Sequence, residues 1–237
     1  MEEFKHIDTW RAVAAEFLAT LLFVFFAVGT VVVTGILSGG DMTLTRLAVI
    51  ALAHGLAIVF LVAAFANISG ANINPAVTFG IVIAREMSIP KGVAYIIAQI
   101  IGGIAGVLLV AAVVPDAIDG ALGAHSLADN ISVGSAVLLE VVLTFAVVFV
   151  VFATAVFPRG PSIIAPVAIG FVVLVDHLIG VPLTGASMNP ARSFGPALIS
   201  GEWADHWVYW AGPLIGGALG ALTYELVYIR GRKGRPI

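Results

Sequence analysis

Six stretches of this chain are nearly unbroken runs of Ala, Val, Ile, Leu, Phe and Gly, and polar residues gather between them. The runs cover residues 12–37, 45–66, 90–114, 133–157, 163–181 and 204–228. A helix rising 1.5 Å per residue needs about 20 such residues to cross a hydrocarbon core of ~30 Å, so each run predicts a transmembrane helix. Two shorter segments, residues 74–84 and 189–200, follow the second and fifth runs. A helix of about 10 residues rises only ~15 Å, half the core, so these segments can dip in from one side but cannot cross. The pattern predicts an all-α membrane protein with six transmembrane helices and two re-entrant half-helices.

The two short segments are copies. Ser69-Gly70-Ala71-Asn72-Ile73-Asn74-Pro75-Ala76 is answered by Thr184-Gly185-Ala186-Ser187-Met188-Asn189-Pro190-Ala191, with Phe79 and Gly80 matching Phe194 and Gly195. Asn is a good N-cap, and Pro suits the first helical position because its missing N–H would be unpaired there anyway. One Asn-Pro-Ala is an ordinary helix start. Two in matching frames describe two helices built alike, each beginning with an asparagine. The likeness extends further: Glu16-x-x-x-Thr20 answers Glu140-x-x-x-Thr144, and Tyr95 with Gly102, Gly103 and Gly106 answers Tyr209 with Gly216, Gly217 and Gly220. Three spans per half make the second half start on the opposite side of the membrane. The whole chain, 1–237, is then one domain of two inverted repeats, about 12–114 and about 133–229, with the special site near the midplane where they meet.

Composition narrows the classes. Of 237 residues 60% are hydrophobic and 11% charged, where a soluble domain carries about a quarter charged residues. The net charge of -3 gives no sign of a nucleic-acid partner, and the absence of cysteine removes disulfides, thiol catalysis and cysteine metal sites. No cofactor or metal motif is legible. The first apolar run is too long for a signal-peptide core and reads as a retained span. Lys5, Arg11, Arg85, Lys91, Arg159, Arg230, Arg232, Lys233 and Arg235, nine of the eleven basic residues, fall on one side. The excess of Lys and Arg on cytoplasmic loops then puts both termini in the cytoplasm, and the half-helix N-termini meet head to head.

Each such N-terminus carries about half a positive charge and unpaired N–H donors, so two facing ends repel cations and orient a passing dipole. Asn74 and Asn189 can cap their own helices through the side-chain oxygen and turn the amide NH2 into a conduit. A water accepting from both has its hydrogens turned away from its neighbours, which interrupts proton hopping. Two buried helix caps are the plain alternative. Arg192 lies inside the second half-helix where the first repeat has Val77, so symmetry does not require its charge. An intramembrane charge faces water or a partner, and it reads as a cation-excluding donor. His54 and His177 are satisfied core residues or conduit groups. Glu16 and Glu140 read as buried structural acceptors for the re-entrant loops' N–H groups, and the glycine runs as close helix contacts.

These residues resemble the aquaporin (major intrinsic protein) family over nearly the whole chain. The resemblance implies a midplane constriction of Asn74, Pro75, Ala76, Asn189, Pro190 and Ala191, and a selectivity filter of His54, His177, Ala186 and Arg192 on the outer side. Water-selective members carry histidine where His177 stands, whereas glycerol facilitators carry a small residue there and an acid where this chain has Ser193. Plant tonoplast aquaporins are the most similar branch, through Ala124-His125-Ser126, the run 189–197 and His206-Trp207-Val208-Tyr209-Trp210. That likeness adds His125 to the filter. It departs at His177, where tonoplast members usually have isoleucine, and at Asn72, where many members have histidine. The expectation is a passive water channel, not an enzyme, probed against an ammonia or glycerol facilitator. A homotetramer with one pore per subunit in membrane lipid is implied by the family, the cell membrane being preferred to the vacuolar one. A proton-coupled transporter would need acids that alternate sides, and only Glu16, Glu140 and Asp176 lie near mid-membrane.

Overall fold

The computed structural model describes residues 2–115 and 121–229, and these are helical with no strand among them. Eight α-helices follow in order: α1 Ile7–Leu37, α2 Leu44–Ser69, α3 Pro75–Ile83, α4 Ile89–Val113, α5 Val133–Val151, α6 Ala165–Thr184, α7 Pro190–Ser200 and α8 Val208–Thr223. Five of the long ones are long and apolar enough to cross a membrane, α5 and α6 when counted with the turns adjoining them. The sixth, α8, runs on through a π-helical turn, Tyr224–Ile229. A π turn, Phe152–Val156, likewise extends α5. The structure moves some predicted boundaries. α1 begins at Ile7 rather than 12 because Thr9 and Trp10 donate to the Glu3 and Phe4 carbonyls and draw the N-terminal turn onto the helix. Residues 204–207 are turn, so α8 starts later than the apolar run. Asp116, Asp119 and the basic run from Arg230 to Arg235 lie outside the described residues.

The half-helices are short for legible reasons. Each has its asparagine in extended conformation as N-cap and proline next, and α7 ends at Gly201 in the left-handed region. α2 and α6, the helices before them, also stop at a left-handed glycine, Gly70 with φ 92° and Gly185 with φ 84°.

Packing crosses the repeats. α1 lies on α4, α5 on α8, and α2 on α6, but α3 lodges against α8 and α7 against α4. Each half-helix is therefore seated mainly on the last span of the other repeat. The glycines divide this labour. Gly102 and Gly106 face the α1 backbone at Phe17 and Leu21, and Gly216 and Gly220 face the α5 backbone at Val141 and Phe145. The glycines between them face the half-helices: a Cβ on Gly103 would lie 2.5 Å from the Ala191 carbonyl oxygen, and one on Gly217 would lie 2.6 Å from that of Ala76. Sequence reasoning saw only a helix-contact motif here; the structure separates two contacts on one helix.

The two ends of the bundle are distinguishable. Ser88, the N-cap of α4, donates to the Glu3 carboxylate, which puts Lys5, Arg11, Arg85 and Lys91 at one end. The loop bearing Arg159 lies beside the C-terminal end of α8 through the Phe157–Tyr224 ring contact. Gly103→Val should drive its branched side chain into the Ala191 backbone and cost about 1–3 kcal/mol or more. Thermal unfolding in detergent checks this: Gly103→Val melts well below wild type, whereas a valine at open Gly134, where no atom lies within 4 Å of a Cβ, leaves the midpoint nearly unchanged.

Candidate functional site

Two fully buried carboxylates build the site from beneath. Glu16 of α1 accepts from the Ser69 hydroxyl at 2.6 Å, the Asn72 and Ile73 N–H groups at 2.9 and 2.8 Å, and the Gln99 amide at 2.8 Å. Glu140 of α5 accepts from the Thr184 hydroxyl at 2.7 Å and the Ser187 and Met188 N–H groups at 2.9 and 2.8 Å. The loops so held are strained in matching places: Ala71, Ile73, Ala186 and Met188 have φ of 51°, 59°, 60° and 51°. A non-glycine residue there costs of order 1–3 kcal/mol and persists only where its surroundings over-determine it. The charge-assisted bonds to Glu16 and Glu140 supply that determination.

The strain turns the Ile73 and Met188 carbonyls towards the opposite repeat. Asn74 caps α3 by accepting from the Ala76 N–H at 2.8 Å, and its amide donates to the Met188 carbonyl at 2.7 Å. Asn189 caps α7 by accepting from the Ala191 and Arg192 N–H groups at 3.0 and 3.3 Å, and its amide donates to the Ile73 carbonyl at 3.0 Å. One N–H of each amide is thus committed to the other repeat, leaving one for a passing molecule. Pro75, Ala76, Pro190 and Ala191 are buried behind the asparagines.

Asn74 and Asn189 border a cavity of about 480 Å³ that extends past Asn72 and Asn67 to Ser162 and ends at His177. A second cavity, of about 560 Å³, opens at the other end and is bordered by Arg46, Gly123, His125 and Arg192. His54 and Ala186 are buried and belong to neither lining. The His54 and His177 rings touch, with centroids 4.0 Å apart. His54 Nδ1 lies 2.9 Å from the Ile50 carbonyl and His177 Nδ1 2.7 Å from that of Val173. A carbonyl can only accept, so both Nδ1 atoms carry the proton, and in the neutral rings Nε2 is left as an acceptor. Both Nε2 atoms are buried without a partner. Ala186 is packed against α6, where a Cβ on Gly180 would lie 2.7 Å from its methyl.

Arg192 is buried at 2% exposure, and its one hydrogen bond through the guanidinium runs to the Gly123 carbonyl at 2.8 Å. The ion pairs among the described residues are Lys5–Glu2 and Arg11–Asp8, so no acid among them neutralises it. His125 bonds the Ser193 hydroxyl through Nδ1 at 2.9 Å, and its ring lies 5.1 Å from that of Tyr209. Burial first, then the charge of Arg192 and the neighbouring His177 and His206, hold His125 well below the usual histidine range, so it is neutral near pH 7. Burial also lowers His206, whose Nε2 accepts from the Trp210 indole at 3.1 Å.

A family model described as Major intrinsic protein matches residues 3–224. The chain belongs to the major intrinsic protein family. As a member it is a channel rather than an enzyme, and an integral membrane protein. This family member is 44% identical over 231 residues to a probable aquaporin TIP-type of Medicago truncatula, covering 96% of this chain and 91% of that one. It is 45% identical to aquaporin TIP1-2 of Zea mays, covering 96% and 89%. It is also 45% identical to aquaporin-4 of Mus musculus, covering 96% and 71%. In fold it is similar to the aquaglyceroporin from Plasmodium falciparum, with a TM-score of 0.81 at 22% identity, over 92% of this chain and 96% of that one.

Several groups at this channel's site were not legible. The Ile73, Met188 and Gly123 carbonyls are backbone atoms, which residue types cannot announce. Asn72 proves to be a support: its amide donates to the Thr78 hydroxyl at 3.1 Å, and Thr78 accepts from Gln99 at 2.8 Å. At the same offsets in the second repeat, Ser187 bonds Ser193, which bonds His125. The matched frames of the two boxes carried that signal. Glu140→Gln should unseat the second loop, because an amide nitrogen would face N–H and O–H donors. The loss expected is about 1.5–3 kcal/mol or more. It is read as a lowered thermal midpoint, with Asp8→Asn, in an exposed pair, as the control that leaves it in place.

Proposed function

We propose that the protein is a passive water channel whose path runs from the Ser162 end past Asn74 and Asn189, beside His54 and His177, and out past Arg192 and His125. The observation that carries this reading is that two cavities, each mainly apolar with a few polar groups set along it, end on opposite sides of one buried cluster, His177 from within and Arg192 and His125 from without. Touching imidazoles leave no space between their faces, so a permeant passes at the Nε2 edges, where two acceptors stand near the unpaired Arg192 cation. Such an edge replaces the hydrogen bonds that a water loses from bulk, while a fixed positive charge and two half-helix dipoles oppose cations. Pro75, Ala76, Pro190 and Ala191 form the rigid backs of the asparagine constriction. Ala186 offers a small wall beside His177.

The assembly is a homotetramer in lipid with one path per subunit and two inverted repeats per path. Both termini face the cytoplasm, supported by Lys5, Arg11, Arg85 and Lys91 sharing one end. The cell membrane is the preferred location; the TIP names of the plant relatives favour the vacuolar membrane as the alternative. Ammonia or glycerol facilitation is the second reading, favoured by the likeness to those relatives and to an aquaglyceroporin.

Stopped-flow measurements on vesicles holding the purified protein separate them, reading shrinkage for water, internal pH for ammonia and re-swelling for glycerol. Wild type should conduct water, with slight ammonia flux and no glycerol, and His177→Ile should raise ammonia flux severalfold. If wild type already conducts ammonia freely and His177→Ile changes nothing, the facilitator reading replaces this one. Arg192→Val should preserve water flow while protons or small cations begin to leak, read as dissipation of a pH gradient. Loss of water flow in folded Arg192→Val would make Arg192 a structural residue.

A further inference from the structure

The outer cavity is lined by two guanidinium groups and by no acidic side chain among the described residues. Arg192 reaches it from α7 and Arg46 from the first turn of α2. Arg46 donates to the Gly40 carbonyl at 2.6 Å and more weakly to those of Asp41 and Val31, and Arg192 donates to that of Gly123. Neither forms an ion pair among the described residues. The Nε atoms of both arginines are buried with no partner, as is His125 Nε2 beside them. The place for Arg46 is built: a Cβ on Gly35 would lie 2.8 Å from its Nη2, and Gly39 and Gly40, at φ of 64° and 93°, turn the chain so that the Gly40 carbonyl meets the guanidinium. Arg192 is buried and Arg46 half-buried; a charge taken out of water needs a partner, and planar guanidinium forks match the oxygens of an oxyanion.

We infer that this cavity is a binding site for a small oxyanion held between Arg46 and Arg192, with His125 at its side. The occupant is of sulfate or phosphate type, and it supplies a negative charge that no described residue provides there. An oxyanion seated on Arg192 also covers the outer face of the His54–His177 cluster. Its occupancy therefore closes the path to water, a consequence that rests on the channel reading, whereas the binding does not.

The test uses radiolabelled sulfate with the full chain in nanodiscs of zwitterionic lipid, in gluconate buffer. Saturable binding is expected, lost in Arg46→Gln and weakened in Gly35→Ala, which keeps the charge but crowds its seat. A lack of saturable binding to wild type overturns the proposal, because water alone then satisfies the arginines. So does binding that both variants leave unchanged. Anionic lipid in a second set of nanodiscs identifies the source: displacement of the label points to a lipid phosphate headgroup, retention to a soluble ion, and both keep the site. In vesicles, external sulfate should remove most wild-type water flow and little of the flow of Arg46→Gln, each against its own sulfate-free rate. Vesicles that bind sulfate but never conduct water would sink the channel reading and leave the site standing.

Discussion

The bonds from Glu16 and Glu140 to the re-entrant loops are the constraint on which the rest of the structure depends. Each loop must bring a chain into the apolar middle of the molecule and end it there, with backbone groups that no lipid can satisfy. Ala71, Ile73, Ala186 and Met188 accept left-handed conformations to do this, and they stay in them because the N–H groups of Asn72, Ile73, Ser187 and Met188 converge on a carboxylate. That strained path aims two carbonyls across the molecular pseudo-axis, where the opposite asparagine collects each one. Loop anchoring, helix capping and the joining of the repeats are therefore a single chain of hydrogen bonds.

Asymmetry sits on top of this symmetric base. Val77 corresponds to Arg192, Asn72 to Ser187 and Thr78 to Ser193, so the second repeat alone carries a charge and a hydroxyl pair that reaches His125. The polar groups on the mainly apolar inner cavity are chiefly amides and hydroxyls, those on the outer one cations and a histidine held neutral by burial. The repeat provides the frame, and its departures from symmetry give the two ends different chemistry.

Much of this was legible in the sequence because membrane solvent leaves few options. Run length sorts six spans from two half-helices, and the duplicated Asn-Pro-Ala carries the head-to-head arrangement. Glu16 and Glu140 were legible as loop acceptors because a buried acid needs donors and the loops needed acceptors. What stayed hidden is what residue types do not encode. The exchange of half-helices between repeats depends on which of three glycines faces which neighbour, and Gly55 and Gly170, where α2 and α6 touch backbone to backbone, have no motif at all. The contact between His54 and His177 likewise depends on backbone carbonyls that fix each ring.

The exchange of half-helices sets an order on how the molecule can be made. α3 is among the earlier segments to leave the ribosome, yet its seat is on α8, the last of the eight. Until that final span is delivered, Ala76 has no glycine to rest on and Asn74 has no Met188 carbonyl to bind. The amino-terminal half must wait in the bilayer with its re-entrant loop held by Glu16 but its half-helix lacking its main seat, so neither half of the chain is complete without the other. A nascent chain stalled before α8 would present an unfinished polar loop at mid-membrane, the kind of exposed surface that quality-control machinery can recognise.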